Sequence, residues 1–272
     1  KDGKFEHTDS VSSTNVNYEQ YDGKFDVIDN SIIESTDLDY GLRVLQSDLK
    51  IKFPLVDTLP ILYHGKGISD LSTKFKGIAV LNPATMEYDI ITSLNPSPEV
   101  HYGESSVVYT EVHPNIDLTY THIKTAVKQE VSIPESERAL LSGNDGDYLV
   151  IVSELTADEI TLEDGVTRAG DHRILPEVAY FNAHNPESDI PMTAFHKSVD
   201  GKTLLLIGIP LEIATDIMAN PGTLILDPTD TLSYGSGEQT ATRLRSLQST
   251  LALSRGATSA TSSINAYAVG FY

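Results

Sequence analysis

Residues 116–133 read IDLTYTHIKTAVKQEVSI, and how this stretch is read decides the fold. Ile116, Leu118 and Tyr120 alternate with polar neighbours, the period of a strand with one buried face. After His122 the apolar set moves to Ile123, Val127, Val131 and Ile133. A one-residue shift in a period-two pattern sends every later side chain to the opposite face, so a β-bulge or a sharp bend is expected near His122. Unbroken, the stretch would span roughly 55 Å at about 3.3 Å per residue, more than a compact domain needs. The expectation is a protruding hairpin or a strand shared between two sheets.

The same period recurs from Tyr40 onward. Leu49, Ile51 and Phe53 alternate with Asp48, Lys50 and Lys52, and further runs fall at 77–81, 87–92, 106–112, 148–155, 177–181, 203–209, 223–226 and 264–271. Turn signals separate them, among them Asn82-Pro83, Asp164-Gly165, Asp200-Gly201 and Asn220-Pro221-Gly222. A longer helix is expected over 237–255: Ser236 and Gln239 make a capping box, Leu244, Leu247 and Leu251 recur at helical spacing, and Arg255-Gly256 closes it. A shorter helix is expected to start at Pro210 and run through Ile213, Ile217 and Met218 to Asn220. Neither helix alternates with strands as a parallel sheet requires. The fold class is therefore mainly β: an antiparallel sandwich or two packed sheets, with one longer helix near the C-terminus and an extended N-terminal arm. Residues 1–39 form that polar arm, and residues 40–272 form a β-rich core domain.

Thirty-nine acidic residues against nineteen basic ones give a net charge of −20, which repels phosphate backbones and anionic headgroups. No direct contact with nucleic acid is expected. No apolar run approaches the eighteen or so residues of a membrane-spanning helix, so no membrane insertion is expected either. Cysteine is absent, which excludes disulfides, thiolate metal sites and a cysteine nucleophile.

DGKF occurs at 2–5 and again at 22–25, and a third Asp-Gly-Lys lies at 200–202. The spacing does not match a calcium loop, whereas Asp-Gly suits the two positive-φ positions of a type I′ hairpin turn. Phe5 and Phe25 then start the returning strands. The best local candidate for a hard cation is Asn144, Asp145 and Asp147, around Gly146, although a polar hairpin loop is the favoured reading of these residues. No cofactor is expected, calcium at this loop being the one alternative. Nucleophile motifs are thin. Gly235-Ser236-Gly237 lacks the G-x-S-x-G elbow, and Ser47 with Lys50 matches S-x-x-K in a strand.

A polar arm, a β core and an overlong hairpin resemble the architecture of virion shell, tail or surface-filament subunits, a likeness of fold level only. The expected function is a non-enzymatic, self-assembling structural protein, a capsid, tail or decoration component of a virion, whose partners are copies of itself. Phe5, Phe25, Tyr120, His122 and Ile123 are the expected assembly contacts. The location would be a virion or the extracellular space, with cytoplasmic assembly as the other route. The alternative is a secreted or cell-surface adhesion module binding carbohydrate or protein, calcium-dependent in one version, with a pocket holding two or more tyrosines. A hydrolase is the third reading and requires a concave site with a carboxylate of raised pKa.

Overall fold

The computed structural model describes residues 17–19, 25–27, 29, 31–47, 49–56, 59–65, 68–91, 94–123, 126–182, 185 and 187–232. The first described element is a two-stranded ribbon, β1 (Asn17–Glu19) against β2 (Phe25–Val27), with Glu19 opposite Phe25. A meander follows: β3 (Ile33–Glu34), β4 (Leu42–Val44), β5 (Lys50–Phe53), β6 (Ile61–Gly65) and β7 (Ile68–Asn82), with β8 (Glu87–Ile90) folding back on β7. The chain then crosses to a second meander, β9 (Glu99–Tyr102), β10 (Ser106–His113), β11 (Ile116–Ile123) and β12 (Ala126–Ile133), closed by the short helix α1 (Glu135–Arg138). The remaining strands are dealt to both layers in turn. They are β13 (Tyr148–Thr156), β14 (Ile160–Glu163), β15 (Val166–Ala169), β16 (His172–Phe181), β17 (Ile190–Pro191), β18 (Thr193–Val199), β19 (Lys202–Pro210) and, after α2 (Leu211–Thr215), β20 (Leu224–Leu232).

Two 9-stranded sheets result. The first has the order β18-β19-β13-β7-β6-β5-β4-β3, with β8 also on β7; the second has β14-β15-β16-β20-β12-β11-β10-β9, with β17 also on β16. Every pairing is antiparallel, from the hairpin β10–β11 to the non-local β12–β20 and β16–β20. The sheets pack face to face as a sandwich, as the alternation of apolar residues requires. Phe53, Leu49, Ile51 and Leu149 from the first sheet and Val131, Ile133, Leu224 and Leu226 from the second meet in one buried core. A smaller cluster of Leu81, Val150, Val152 and Leu206 is buried on the outer face of the first sheet, beneath Met86, Tyr88, Tyr148 and Phe195. It explains why β13 and β19 read as continuous apolar runs: both of their faces are covered.

Two of the three Asp-Gly pairs within the described residues have the predicted form, the exception being Asp145-Gly146, where only the glycine has a positive φ. Asp164 and Gly165 have φ of 51° and 78°, and Asp200 and Gly201 have 52° and 77°, so both central positions are left-handed, as a type I′ turn demands. The second DGKF copy ends on Phe25, the first residue of β2; its Asp22-Gly23-Lys24 and the whole of the first copy lie outside the described residues. So do the expected helix over 237–255 and the run at 264–271. The shorter helix ends at Thr215, earlier than expected, because Asp216 turns to φ −74°, ψ 79° and its Oδ1 accepts the Ala219 N–H. Part of the segment assigned to the arm belongs to the sandwich, since Ile32 is buried in the core and β3 pairs with β4.

Residues 116–133 form a hairpin, one of the two expected forms, the chain reversing between Ile123 and Ala126; it carries no bulge at His122 and pairs within the second sheet instead of protruding from it. Leu118 lies opposite Val131 and His122 opposite Val127. Even positions on β11 therefore share a face with odd positions on β12, and that arithmetic produces the phase shift at His122. Bulges occur elsewhere. One lies in β10 between Tyr109 and His113, where Glu111 has φ 50°, and one in β16 between Leu175 and Val178, where Glu177 has φ 47°.

Candidate functional site

The densest group of ionisable side chains lies on the outer face of the second sheet, where β12, β20 and β16 run side by side. Along β12, Val127 and Val131 point into the core, so Lys128 and Glu130 point out. Along β20, Leu224 and Leu226 are buried inward and Asp230 faces the interior, so Asp227 and Thr229 share the outer face with Lys128. The β16 bulge sets two residues against one and turns Glu177 toward this row, where its Oε2 accepts a hydrogen bond from Thr229 Oγ1 at 2.8 Å. Tyr180 donates its hydroxyl to Glu130 Oε1 at 2.9 Å.

At the centre, Lys128 Nζ lies 2.6 Å from Asp227 Oδ2, with side-chain exposures of 32% and 2%. The second oxygen of Asp227, Oδ1, is buried without a hydrogen-bond partner. Burial, together with the charges of Glu130 and Glu177, pushes the Asp227 carboxyl up to about 6 against the pull of Lys128. For Lys128, burial works to lower the ammonium's pKa, but the hydrogen bond and charge of Asp227, with Glu130 and Glu177, outweigh it and hold it above its usual value. Tyr180 is likewise raised, by burial and by its bond to Glu130. The arrangement sets an amine against a carboxyl group that is biased toward its neutral form, with two further carboxylates alongside.

A second polar group lies inside the sandwich and ties its layers together. His172 on β16 is fully buried; its Nδ1 lies 3.2 Å from Asp230 Oδ2 on β20, and its Nε2 lies 3.0 Å from the Ser69 carbonyl oxygen on β7. Its ring meets the Tyr63 ring edge-on at 5.9 Å. Both imidazole nitrogens thus face acceptors, which suits the doubly protonated ring. Burial opposes that charge, but Asp230, the Ser69 carbonyl and Asp171 prevail and raise the pKa of His172. The residue types of a serine triad are present but wired differently: Ser69 Oγ donates to Asp171 Oδ2 at 2.9 Å, and the imidazole contacts only the serine's carbonyl. Gly170, at φ 57°, allows the close approach, since a Cβ there would lie 2.5 Å from Ser69 Cβ. Beside this group, Tyr63, Gln129, Ser153 and Asp230 line an internal cavity of about 30 Å³, room for a water or two and too small for an organic substrate.

The residues expected to act are dispersed. Asp147 is buried and closes its own loop, its Oδ2 accepting from the Asn144 backbone N–H at 2.7 Å and from Asn144 Nδ2 at 3.3 Å, while Asp145 is exposed. Among the described residues no group of three His, Asp or Glu side chains is arranged to hold a metal ion. Tyr120 is buried between Phe53 and Tyr109, with ring centroids 6.2 and 6.1 Å away, and His122 is buried as well. Both side chains are turned inward; of the hairpin residues named as assembly contacts, Ile123 is the exposed one, at 47%. Phe25 opens β2, and Phe5 lies outside the described residues. The expected tyrosine pocket corresponds to an interior space of about 20 Å³ between Tyr109, Tyr120, Phe75 and Leu118. A larger concavity, about 730 Å³, is open and polar, formed by Asn95, Glu99, His101, Glu111, Asn115 and Asp117.

Sequence reasoning missed both charged groups. The residues of each are far apart in the chain, Lys128 from Asp227 by 99 positions and His172 from Asp230 by 58. One signal was present: two aspartates stand inside the apolar run Leu224–Leu232, and an acid on a central strand requires a partner. No helix among the described residues is long and apolar enough to cross a membrane. No protein-family model, curated protein or solved structure is detectably similar to this chain.

Proposed function

We propose that this chain is a non-enzymatic structural protein that works through contacts with copies of itself, as capsid, tail and decoration subunits of virions do. The supporting observation is the β3 end of the first sheet. Ile33, Leu38, Leu45, Leu55 and Val56 all expose their side chains around β3, β4 and β5, and β3 pairs as a strand only with β4 among the described residues. The Ile32 N–H is already held by the Glu104 carbonyl oxygen at 2.8 Å, so it is the exposed apolar side chains, more than the short strand edge, that offer a second copy a surface to cover. At a net charge of −20, copies repel one another at long range, so association must come from short-range apolar and backbone contacts and should strengthen as salt screens the charge. The test is light scattering of the wild type and of a Leu55→Lys, Val56→Lys double variant across salt concentration. Salt-promoted association that the variant loses supports the reading; association unchanged in the variant refutes it.

A second reading, an adhesion module, draws on the open polar concavity lined by Glu99, His101, Asn115 and Asp117. Side chains of these types hydrogen-bond sugar hydroxyls. Binding to an array of immobilised glycans that is lost in an Asn115→Ala, Asp117→Ala variant would favour it over assembly.

A further inference from the structure

We infer that Lys128 and Asp227 condense into an intramolecular amide, a covalent cross-link between β12 and β20. The inference is independent of the assembly proposal and stands on the geometry of the outer-face cluster. Lys128 Nζ is already 2.6 Å from Asp227 Oδ2, and the acid's side chain is only 2% exposed. The pair spans adjacent central strands whose register is fixed by Val127 opposite Asp230 and Val131 opposite Leu226. Held this way, amine and carboxyl meet as neighbours in a rigid frame, which makes an otherwise bimolecular step effectively unimolecular.

The surroundings supply what the chemistry needs. An amine attacks a carboxylic acid far more readily than a carboxylate, and burial with two flanking acids favours the neutral form of Asp227. Lys128 must first give up a proton, which Asp227, Glu130 and Glu177 hold on it more firmly than usual; the acceptor within reach is Asp227 Oδ2 itself, 2.6 Å away, and transfer across that contact sets a free amine against a neutral acid. Each glutamate is positioned by a hydroxyl donor, Tyr180 for Glu130 and Thr229 for Glu177. A strained backbone at Glu177, φ 47°, is the local cost of turning that carboxylate to the row.

The step balances without any external reagent. The Lys128 ammonium passes one proton to Asp227 across their contact, leaving an amine and a neutral acid, and the Nζ lone pair attacks Asp227 Cγ to form the Nζ–Cγ bond. A neighbouring glutamate relays a second proton from Nζ to the hydroxyl, the Cγ–O bond breaks to release one water, and the amide keeps one N–H. One positive and one negative charge are replaced by a neutral amide. Burial of Asp227 keeps bulk water from hydrolysing it. In a chain without cysteine, the link would do what a disulfide does elsewhere, holding together two strands whose joined residues are 99 positions apart.

The experiment is the intact mass of the full chain by electrospray, followed by proteolysis and fragment sequencing. The expected result is a mass one water below the sum of the sequence, with a branched peptide joining the segments that contain Lys128 and Asp227. Lys128→Arg keeps the ion pair but lacks the nucleophile, so it should fold, show the full mass and melt at a lower temperature. Glu177→Gln should slow the loss of water. A wild-type mass equal to the sequence overturns the inference. So does a water loss that maps to an Asp-Gly pair such as Asp145-Gly146 or Asp200-Gly201, where a cyclic imide forms instead.

Discussion

Replacing His172 by phenylalanine keeps an aromatic ring against Tyr63, slightly larger than the imidazole and with the small internal cavity beside it to take up the difference, and removes the two nitrogens. Asp230 then loses its cationic partner while its other oxygen is already buried without a donor, and the Ser69 carbonyl loses its bond to the ring. Removing one side of a buried charged pair costs about 3–5 kcal/mol. On an unfolding slope of about 3 kcal/mol per molar urea, that moves the midpoint down by more than about 1 M. The pH dependence carries the sign. The folded pKa of His172 is raised above its usual 6.5, so its contribution is full below that value and is lost as pH climbs through the folded value. Wild-type stability should therefore fall as the solution becomes alkaline, and the variant should lack that fall. Urea unfolding followed by tyrosine fluorescence is the assay, since the chain has 13 tyrosines and no tryptophan. A wild-type midpoint that stays flat between about pH 6 and pH 9, with a variant penalty under about 1 kcal/mol, would refute the clamp.

Further predictions concern positions that the sandwich depends on. Arg138 is fully buried, donates to the carbonyls of Ala214, Asn220 and Gly222, and stacks on Phe181 at 4.4 Å. Arg138→Met should cost about 3 kcal/mol by leaving three carbonyls unpaired, with faster amide exchange across residues 214–223. Gly208→Ala should prevent folding, because its Cβ would sit 1.8 Å from the Leu149 carbonyl oxygen. Gly201→Ala, with open space around it but φ 77°, should cost only about 1 kcal/mol, and circular dichroism on heating separates the two. Adding a calcium chelator should leave the melting temperature unchanged, because the Asp147 carboxylate is engaged within its own loop. A shift of several degrees would make that loop a cation site.

Period-two alternation exposed the sheets because burial on one face of a strand is written locally, residue by residue. Leu49, Ile51 and Phe53 are all fully buried, and the Asp-Gly turns at 164 and 200 have the φ values their residue types demand. The 116–133 stretch stayed open between a bulge and a bend because neither Lys124 nor Thr125 is a usual turn residue, and a hairpin and a bulge both shift the apolar phase. Short polar strands such as β9 and β14, with few buried side chains to mark them, gave no signal of their own. Pairing partners were beyond reach. Nothing near Lys128 points to Asp227, and only the cost of burying an acid on a central strand hints that it has a partner.

The central claim, that this sandwich acts through copies of itself, is tested most directly by sedimentation velocity over a wide concentration range at low and high salt. The account predicts species heavier than the 29.6 kDa chain, more abundant as concentration and salt rise. A single 29.6 kDa species under every condition would contradict it.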